Sequence, residues 1–351
     1  MRTLIVAAGR FGPPLAEDIA AGREPRLDVF ELQAALGADL LDYRAVDASA
    51  SPAVRATRRA LGISAALALL ANREGSQYDA ILTTGEELGI PLAVLAGRRR
   101  PSHTLIAHTL TPWKKRLFFH ALRVQRRIDR ILCYATSEER FITGTLGVPA
   151  EKVRRISFHA DAEFFRPEVK VPVEPDLICS AGQLLRDYDG LVEAVRDLPV
   201  RLRIAAGSPW ISRELRPGGP LPPNVEWSRY TRYELRDLYA RSAVAVVPIL
   251  ENDYQTGIST ILEMMAMGKC VIVSRTRGQT DTIVDGVNGI YVPPGDPAAL
   301  RKAIAHALAH PEETARIGAT ARRFVEEHAS TALFVQRIVE TMRAATRASP
   351  A

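Results

Sequence analysis

Short apolar runs alternate with longer segments of helical periodicity along most of the chain, and this alternation constrains the fold more than any other feature. Such a pattern is typical of βαβ units, in which parallel strands are joined by helices. The predicted strands cover 3–8, 79–84, 103–108, 130–135, 177–182, 201–206, 224–228, 243–248, 270–274 and 289–293. The predicted helices cover 53–72, 86–97, 113–128, 260–267, 297–308 and 331–346. The sequence therefore predicts an α/β protein with two parallel-sheet halves.

The segment 166–177 separates these halves. It contains three prolines and has neither helical nor strand periodicity, which indicates an extended linker. A chain of 351 residues also exceeds the usual size of one domain. We therefore predict an N-terminal domain over 1–168, a second domain over 169–330, and a C-terminal helix within 331–351.

Composition and charge define the broad class of protein. With 47% hydrophobic and 25% charged residues, the chain is an ordinary globular protein and not a fibrous or disordered one. Its three cysteines lie in apolar runs, which predicts buried thiols in a reducing compartment. The first apolar run is too short for a signal peptide, and no run is long enough to span a bilayer, so we expect a cytoplasmic protein. The net charge of +6 favours nucleic acid, anionic lipid or phosphate-bearing small molecules without choosing among them.

In parallel sheets, ligands bind at the carboxyl ends of the strands, so the loops there are the first candidates for a binding site. Gly9 and Gly12 follow the first predicted strand, but their spacing is not that of a dinucleotide-binding loop, and no helix is expected directly behind Pro13 and Pro14. A plain turn explains these glycines about as well. His108 ends another predicted strand and could bind a substrate hydroxyl or transfer a proton, or serve a structural role.

The predicted helix at 113–128 combines aromatic and basic residues. Its sequence can lie on an anionic membrane or bind a charged acceptor, and the alternative is a solvated helix face over an ordinary core.

Two loops of the second half resemble phosphate-binding loops. Gly182 follows a strand, and Arg186 lies four residues further on, where its forked guanidinium could bind a phosphate. The alternative is a surface arginine in a turn. Gly257 precedes a predicted helix for which Ser259 and Thr260 are suitable N-caps, so an anion is expected at its N-terminus. Glu263 could be the acid of a capping box with Thr260.

The segment 260–300, "TILEMMAMGKCVIVSRTRGQTDTIVDGVNGIYVPPGDPAAL", resembles the C-terminal signature of family-4 glycosyltransferases, and 146–167 and 234–248 resemble further parts of that family. The resemblance implies the GT-B fold: two Rossmann-like domains facing each other across a cleft, with the C-terminal helix packing back toward the N-terminal domain. It also implies a retaining transferase that moves a hexose-type sugar from a nucleotide-diphosphate donor to a hydroxyl acceptor. Such enzymes usually need no metal or other cofactor.

The resemblance also implies roles for single residues. Glu263 would bind the ribose hydroxyls, the backbone at 257–259 would face the donor sugar and diphosphate, and His108 would lie beside the reacting carbon. Main-chain groups after the strand 224–228 would meet the nucleobase. The expected catalytic residues are His108, Arg186 and Gln255, and the expected donor-binding residues are Gly9, Gly12, Gly182, Arg186, Arg229, Tyr230, Gly257, Ile258, Ser259, Thr260 and Glu263.

Two departures from the family pattern affect the expected site. Gln183 stands where the family usually has an arginine after the glycine, which leaves Arg186 as the cation in reach. Gln255 stands where the first glutamate of a spaced pair is usual; it can still hydrogen-bond a sugar hydroxyl but adds no negative charge.

Two other functions stay open on the sequence. One is an isomerase of the UDP-GlcNAc 2-epimerase type, which would need additional acid and base carboxylates that no cluster in the sequence suggests. The other is a catalytically silent sugar-nucleotide-binding protein, made conceivable by Gln183 and Gln255. We expect a UDP-sugar donor in preference to a GDP-sugar, an unidentified hydroxyl acceptor (a sugar, lipid-linked sugar or small molecule), no nucleic acid partner, and peripheral membrane contact through 113–130.

Overall fold

The computed structural model describes residues 1–97, 100–167, 171–207 and 219–348. The chain divides into two compact units. The first comprises Met1–Asp18, Arg26–Ser157 and the residues from Ala332 onward, and the second comprises Ile19–Pro25 and Phe158–Thr331.

The first unit is built on a six-stranded sheet in which every pair of neighbours is parallel. Its strands are β1 (Thr3–Val6), β2 (Asp39–Leu41), β3 (Ala80–Thr83), β4 (Ser102–Ile106), β5 (Arg130–Cys133) and β6 (Val153–Arg155), in the order β2-β1-β3-β4-β5-β6. The helices between them are α1 (Pro13–Ala20), α2 (Asp28–Leu36), α3 (Tyr43–Ala48), α4 (Pro52–Leu61), α5 (Ile63–Glu74), α6 (Glu86–Leu95), α7 (Trp113–Ala121) and α8 (Thr136–Arg140).

Three predictions for this unit need correction. A helix does begin at Pro13, because proline is favoured in a first turn. The helix predicted over 53–72 is two helices, separated at Gly62, whose φ of 92° no right-handed helix accommodates. The helix predicted over 113–128 ends at Ala121, after which Arg123 has a φ of 48° and a 3-10 turn covers Val124–Arg127.

The second unit is built on another six-stranded, wholly parallel sheet. Its strands are β7 (Glu174–Ala181), β8 (Arg201–Ala205), β9 (Val225–Ser228), β10 (Ser242–Val247), β11 (Val271–Ser274) and β12 (Ile290–Val292), in the order β12-β11-β10-β7-β8-β9. Its helices are α9 (Tyr188–Val195), α10 (Arg232–Arg241), α11 (Ile258–Ala266), α12 (Pro297–Ala309) and α13 (Pro311–His328). A last helix, α14 (Thr331–Ala348), follows, and Arg154 of β6 donates a 2.7 Å hydrogen bond to its Thr341.

The predicted linker is shorter than expected. β7 begins at Glu174, so the last four residues of 166–177 belong to a strand, and positions 168–170 lie outside the described residues. Glu174 pairs with Ser242 of β10, and its carboxylate accepts hydrogen bonds from Arg201 and Arg241. These contacts explain why a segment with little apolar character forms a strand.

Both faces of the second sheet are buried, as expected for parallel strands flanked by helices. On β10, Ala245 and Val247 join one hydrophobic cluster, whereas Val244 and Val246 join the other. Alternate residues of a strand point to opposite faces, so the unbroken apolar run fills two cores. The three cysteines are buried free thiols, which confirms that part of the cysteine prediction. Among the described helices, none has the length and apolar character needed to cross a membrane.

Candidate functional site

A buried arginine with no acidic partner among the described residues marks the candidate site of the second unit. Arg186 lies in the loop after β7 and is only 6% exposed. Its guanidinium donates to the carbonyl oxygens of Ala181 at 3.0 Å and Leu184 at 2.8 Å, and its Nη2 lies 3.4 Å from Thr260 Oγ1. Within the described part of the chain it pairs with no carboxylate, and burial lowers its pKa. Since a buried charge is costly unless it is paired, this arginine is suited to receive an anion.

Two glycines make room for this guanidinium. Gly182 has a φ of 93° and Gly257 a φ of 81°, conformations that favour glycine. A Cβ atom added to Gly257 would lie 2.9 Å from Arg186 Nη2, and one added to Gly182 would also collide with the guanidinium. The two predicted glycines and the predicted arginine are therefore brought together.

Helix α11 directs its N-terminus to the same place. Its N-cap is Gly257, and no side chain caps it, so the prediction that Ser259 or Thr260 would be the cap is wrong. Ser259 is exposed in the first turn, and the Thr260 hydroxyl lies beside Arg186 instead. Uncapped N–H groups at a helix N-terminus attract anions. The arginine and the helix therefore favour negative charge at one point.

Glu263 lies one turn further along α11 and is 8% exposed. Its Oε1 accepts from Arg232 Nη1 at 3.0 Å and its Oε2 from the Tyr239 hydroxyl at 3.4 Å, so it is not the acid of a capping box with Thr260. Burial raises the pKa of Glu263, while Arg232 opposes that rise. Each carboxylate oxygen has a second lone pair for a further donor.

Arg232 was missed by the sequence analysis. It is the first residue of α10, whose N-cap Thr231 and third residue Glu234 form a capping box. A threonine followed three residues later by glutamate fixes the helix start, and hence the position of Arg232. Nothing near Arg232 in the sequence indicates that it pairs with Glu263, which lies on another helix.

Both glutamines that depart from the family pattern carry an unpaired oxygen. The Gln255 Oε1 is buried without a hydrogen-bond partner in the described structure. Gln183 donates through Nε2 to the Ala206 carbonyl at 2.7 Å, and its buried Oε1 likewise has no described partner. Buried acceptors of this kind are usually satisfied by water or by a ligand.

The loop that carries Gln255 is held by its own hydrogen bonds. Asn252 Oδ1 accepts from the Tyr254 N–H at 3.1 Å and from the Thr256 hydroxyl at 3.0 Å. Gln279 Nε2 donates to the Thr256 carbonyl at 3.3 Å. The position of Gln255 is therefore set before any ligand binds.

A groove of about 370 Å³ adjoins the end of β9. It is lined by Arg203, Glu226, Ser228, Arg229, Tyr230, Glu234, Asp237, Leu238 and Arg241. The Tyr230 hydroxyl lies 3.5 Å from Glu226 Oε1. The other oxygen of this carboxylate, Oε2, pairs with Arg203 Nε at 3.3 Å. Both predicted base-side residues, Arg229 and Tyr230, thus line a polar groove.

The first unit places His108 at the carboxyl end of β4. Its Nε2 lies 2.9 Å from the Thr84 carbonyl, which can only accept, so Nε2 carries a hydrogen. In the neutral ring, Nδ1 then keeps its lone pair and can accept a hydrogen bond. The ring lies against Tyr134, with centroids 5.5 Å apart, and the side chain is exposed.

Two buried carboxylates and a lysine fix the loop after β4, and the sequence pattern did not predict this role for any of the three. The His108 N–H donates to Glu86 at 2.8 Å and the Leu110 N–H to Glu138 at 2.5 Å. Lys115 binds Glu86 at 2.6 Å and the carbonyl of residue 109 at 2.9 Å. Both carboxylates are therefore occupied by the loop backbone.

These two carboxyl groups differ in charge preference. Burial raises the pKa of Glu138 to about 7. Burial also raises the pKa of Glu86, but Lys115 and His108 together lower it by more, so the Glu86 pKa falls below its ordinary value.

The two glycines near β1 have ordinary structural surroundings. A Cβ on Gly9 would lie 2.7 Å from the Phe11 ring, and one on Gly12 would lie 3.4 Å from Arg44 Nη1. Gly9 also accepts the Tyr43 N–H at 2.9 Å. Their predicted contact with a diphosphate or acceptor stays a prediction.

Comparison with known proteins places the second-unit site inside a recognised segment. Residues 177–310 match the sequence model of the family "Glycosyl transferases group 1". The matched segment contains Arg186, Arg232, Gln255, Gly257 and Glu263.

One curated relative and two solved structures illustrate the similarity. A D-inositol 3-phosphate glycosyltransferase of Xylanimonas cellulosilytica is 30% identical over 211 residues, covering 54% of this chain and 47% of that protein. The chain spans about half the length of the curated relatives that it matches. Sucrose-phosphate synthase from Thermosynechococcus elongatus has a TM-score of 0.73 at 17% identity, covering 99% of this chain and 100% of that one.

The second solved structure is Anabaena HepE in complex with UDP-glucose. It has a TM-score of 0.69 at 14% identity, covering 97% of this chain and 99% of that chain. At such identities the likeness establishes the fold alone. The predicted α/β class with GT-B architecture is therefore confirmed.

Proposed function

We propose that this protein is a retaining glycosyltransferase that moves a hexose-type sugar from a nucleotide-diphosphate donor to a hydroxyl acceptor without a metal. The observation that carries the proposal is Arg186, a buried cation without a described acidic partner at the uncapped N-terminus of α11. The family match over 177–310 and the names of the relatives support it.

In this proposal the donor diphosphate lies at Arg186 and α11. Departure of a nucleoside diphosphate places negative charge on its terminal phosphate as the bond to the sugar breaks. A guanidinium and helix N–H groups already aimed at that point stabilise the charge without reorganisation. Arg186 is therefore assigned to leaving-group stabilisation.

The ribose is assigned to Glu263. Each of its carboxylate oxygens already accepts one hydrogen bond and retains a lone pair for a ribose hydroxyl. Burial raises the pKa of Glu263, and Arg232 opposes that rise and so favours the ionised form, which accepts hydrogen bonds from hydroxyls more strongly than the neutral form. Arg232 is thus a positioning residue for Glu263.

Two further assignments concern the sugar and the base. The unpaired Gln255 Oε1 is suited to accept from a sugar hydroxyl, and the His108 Nδ1 from another. The groove lined by Arg229 and Tyr230 is assigned to the nucleobase. A UDP-sugar is the favoured donor, supported by the UDP-glucose complex of HepE.

The first experiment is titration calorimetry of UDP binding. We expect Arg186→Met to weaken binding at least tenfold, since a charged hydrogen bond contributes about 1.5 to 3 kcal/mol. Arg196→Met, at an exposed arginine of the same unit, is the matched control and should bind normally. Arg186→Lys should fall between them, because lysine keeps the charge but not the fork. Equal affinities of Arg186→Met and the control would refute the phosphate assignment.

Turnover assays test the reaction class. Incubation with a UDP-sugar and candidate acceptors should yield a glycoside that keeps the donor's anomeric configuration by NMR, with an unchanged rate in EDTA. An epimeric sugar formed from donor alone would identify an isomerase instead. Normal UDP binding without turnover of any donor would indicate a silent binding protein.

Three buried free thiols are consistent with the proposed cytoplasmic location.

A further inference from the structure

Helix α7 exposes an apolar face that the proposed function does not use. Trp113 is 69% exposed, Leu117 57% and Phe118 37%, and Leu122, just after the helix, is 51% exposed. Phe119 is fully buried and fixes the opposite side of the helix in the core. At about 100° per residue, Trp113 and Leu117 lie about 120° and about 160° around the helix from Phe119, and Phe118 lies about 100° from it.

The same segment carries exposed positive charge. No Asp or Glu occurs from residue 110 to 128. The exposed cations are Lys114, Arg116, Arg123, Arg126 and Arg127, and none of them forms an ion pair with a described residue. Other arginines of this unit do find acids, as Arg10 does with Asp47 at 3.0 Å and Arg100 with Asp129. The segment therefore presents five exposed cations that have no ion pair within the described residues.

We infer that α7 and the turn Val124–Arg127 dock on the surface of an anionic phospholipid bilayer. Apolar and aromatic side chains enter the headgroup boundary while neighbouring cations meet anionic headgroups, the combination that favours interfacial binding. This inference does not depend on the proposed function.

Two other occupants fit this surface less well. In a symmetric contact between two copies of the chain, like charges would face one another without acids to balance them. A nucleic acid would accept the cations, but the exposed aliphatic side chains of Leu117 and Leu122 neither pair with phosphate nor stack on bases as aromatic rings do.

The surface is held in place before any membrane binds. Lys115 ties the helix to Glu86 and to the carbonyl of residue 109. Arg127 Nη1 lies 3.4 Å from the carbonyl oxygens of Ala93 and Val94 at the end of α6. A preformed surface loses little conformational entropy on binding.

Vesicle sedimentation tests the inference. The full chain should bind phosphatidylcholine vesicles containing 30% phosphatidylglycerol at low salt, and bind pure phosphatidylcholine at least tenfold more weakly. Arg123→Gln/Arg126→Gln should weaken binding about twenty-fivefold, since each cation near an anionic surface contributes roughly fivefold. Leu117→Ser/Leu122→Ser should weaken it at least tenfold, through loss of buried apolar area.

Matched controls come from α4 of the same unit. Leu61 is 74% exposed and Arg59 is also exposed, so the double variant Arg59→Gln/Leu61→Ser changes a similar pair of groups elsewhere. It should bind vesicles as the unchanged protein does. Absence of vesicle binding, or equal loss in control and α7 variants, would overturn the inference. So would self-association in sedimentation equilibrium that the α7 variants abolish while vesicle binding is absent.

Discussion

Replacement of Glu138 by glutamine should make the first unit more stable at alkaline pH. The Glu138 side chain is buried at 4% exposure, and its Oε1 accepts the Leu110 N–H. Burial raises its pKa from 4.5 to about 7. Glutamine keeps an acceptor for the same N–H but has no proton to lose.

The sign follows from the raised pKa. Below about pH 4.5 the carboxyl is protonated in the folded and unfolded states alike and costs nothing. As pH rises toward 7, only the unfolded state ionises freely, so the folded state loses stability, and the loss is complete above the folded pKa. At about 1.4 kcal/mol per pH unit, the interval between 4.5 and 7 amounts to about 3 kcal/mol.

Other charges face Glu138 and oppose one another. Glu86 on α6 raises its pKa further, whereas Lys115 on α7 and His108 after β4 lower it. Desolvation is the largest cause, so the direction of the shift does not depend on these neighbours.

Hydrogen exchange of the β4 amides measures this effect in the unit concerned. Intrinsic exchange rates at one pH are the same for both proteins, so the ratio of protection factors gives the difference in unfolding free energy. Between pH 5 and pH 8 that ratio should move about a hundredfold in favour of Glu138→Gln. Glu139→Gln, at the next residue of α8 with a more exposed carboxylate, is the control. A ratio that stays constant with pH would refute the reasoning.

The remaining predictions concern the candidate site. Glu263→Ala should weaken UDP binding tenfold or more by calorimetry, whereas Gln255→Ala should leave it nearly unchanged; equal affinities would contradict the ribose assignment. His108→Ala should lower turnover while sparing UDP affinity, and unchanged turnover would remove it from the site. Gly257→Ala and Gly286→Ala both place alanine at positive φ, which should cost about 1 kcal/mol of stability in urea unfolding. The loss should be larger for Gly257→Ala, because its Cβ would also collide with the Arg186 guanidinium, and only this variant should lose UDP affinity.

The sheets could be predicted from the sequence because their strands are buried on both faces. β10 is apolar from Ala243 to Val247 for this reason, and Pro248 follows its end. The strands β2 and β6 were not predicted, since each has three residues and is largely exposed or partly exposed. Such edge strands are defined by pairing with a neighbour and not by their own hydrophobicity.

Helix α13 escaped prediction for a different reason. Three of its five buried positions, Thr314, Gly318 and Ala321, are small residues, so its buried face has helical spacing but few strongly apolar side chains. A Cβ on Gly318 would collide with the Gly268 carbonyl oxygen, which shows how closely the helix approaches the turn after α11. Packing of small residues against backbone stabilises this helix and leaves little trace in an apolar pattern.

The site residues also divide into those that a local sequence pattern predicts and those that it does not. The loops of Arg186 and Gly257 were predicted because a glycine, a strand end and a helix start are adjacent in sequence. The pairing of Arg232 with Glu263 joins residues 31 positions apart and has no local signal. The same holds for Glu86 and Lys115, which are 29 positions apart. Non-local side-chain pairs depend on how helices pack and so require the structure.

Helix α11 presents two different electrostatic arrangements within one turn. Beside Thr260 lies a buried cation without a described acid, whereas Glu263 is a buried carboxylate that already has a cation and a hydroxyl donor. An unpaired cation gains most from an anionic ligand, whereas a paired carboxylate would repel an anion but accepts hydrogen bonds from neutral hydroxyls. We infer that a ligand with its phosphates before α11 and its ribose at Glu263 satisfies both arrangements, and that the reverse orientation satisfies neither.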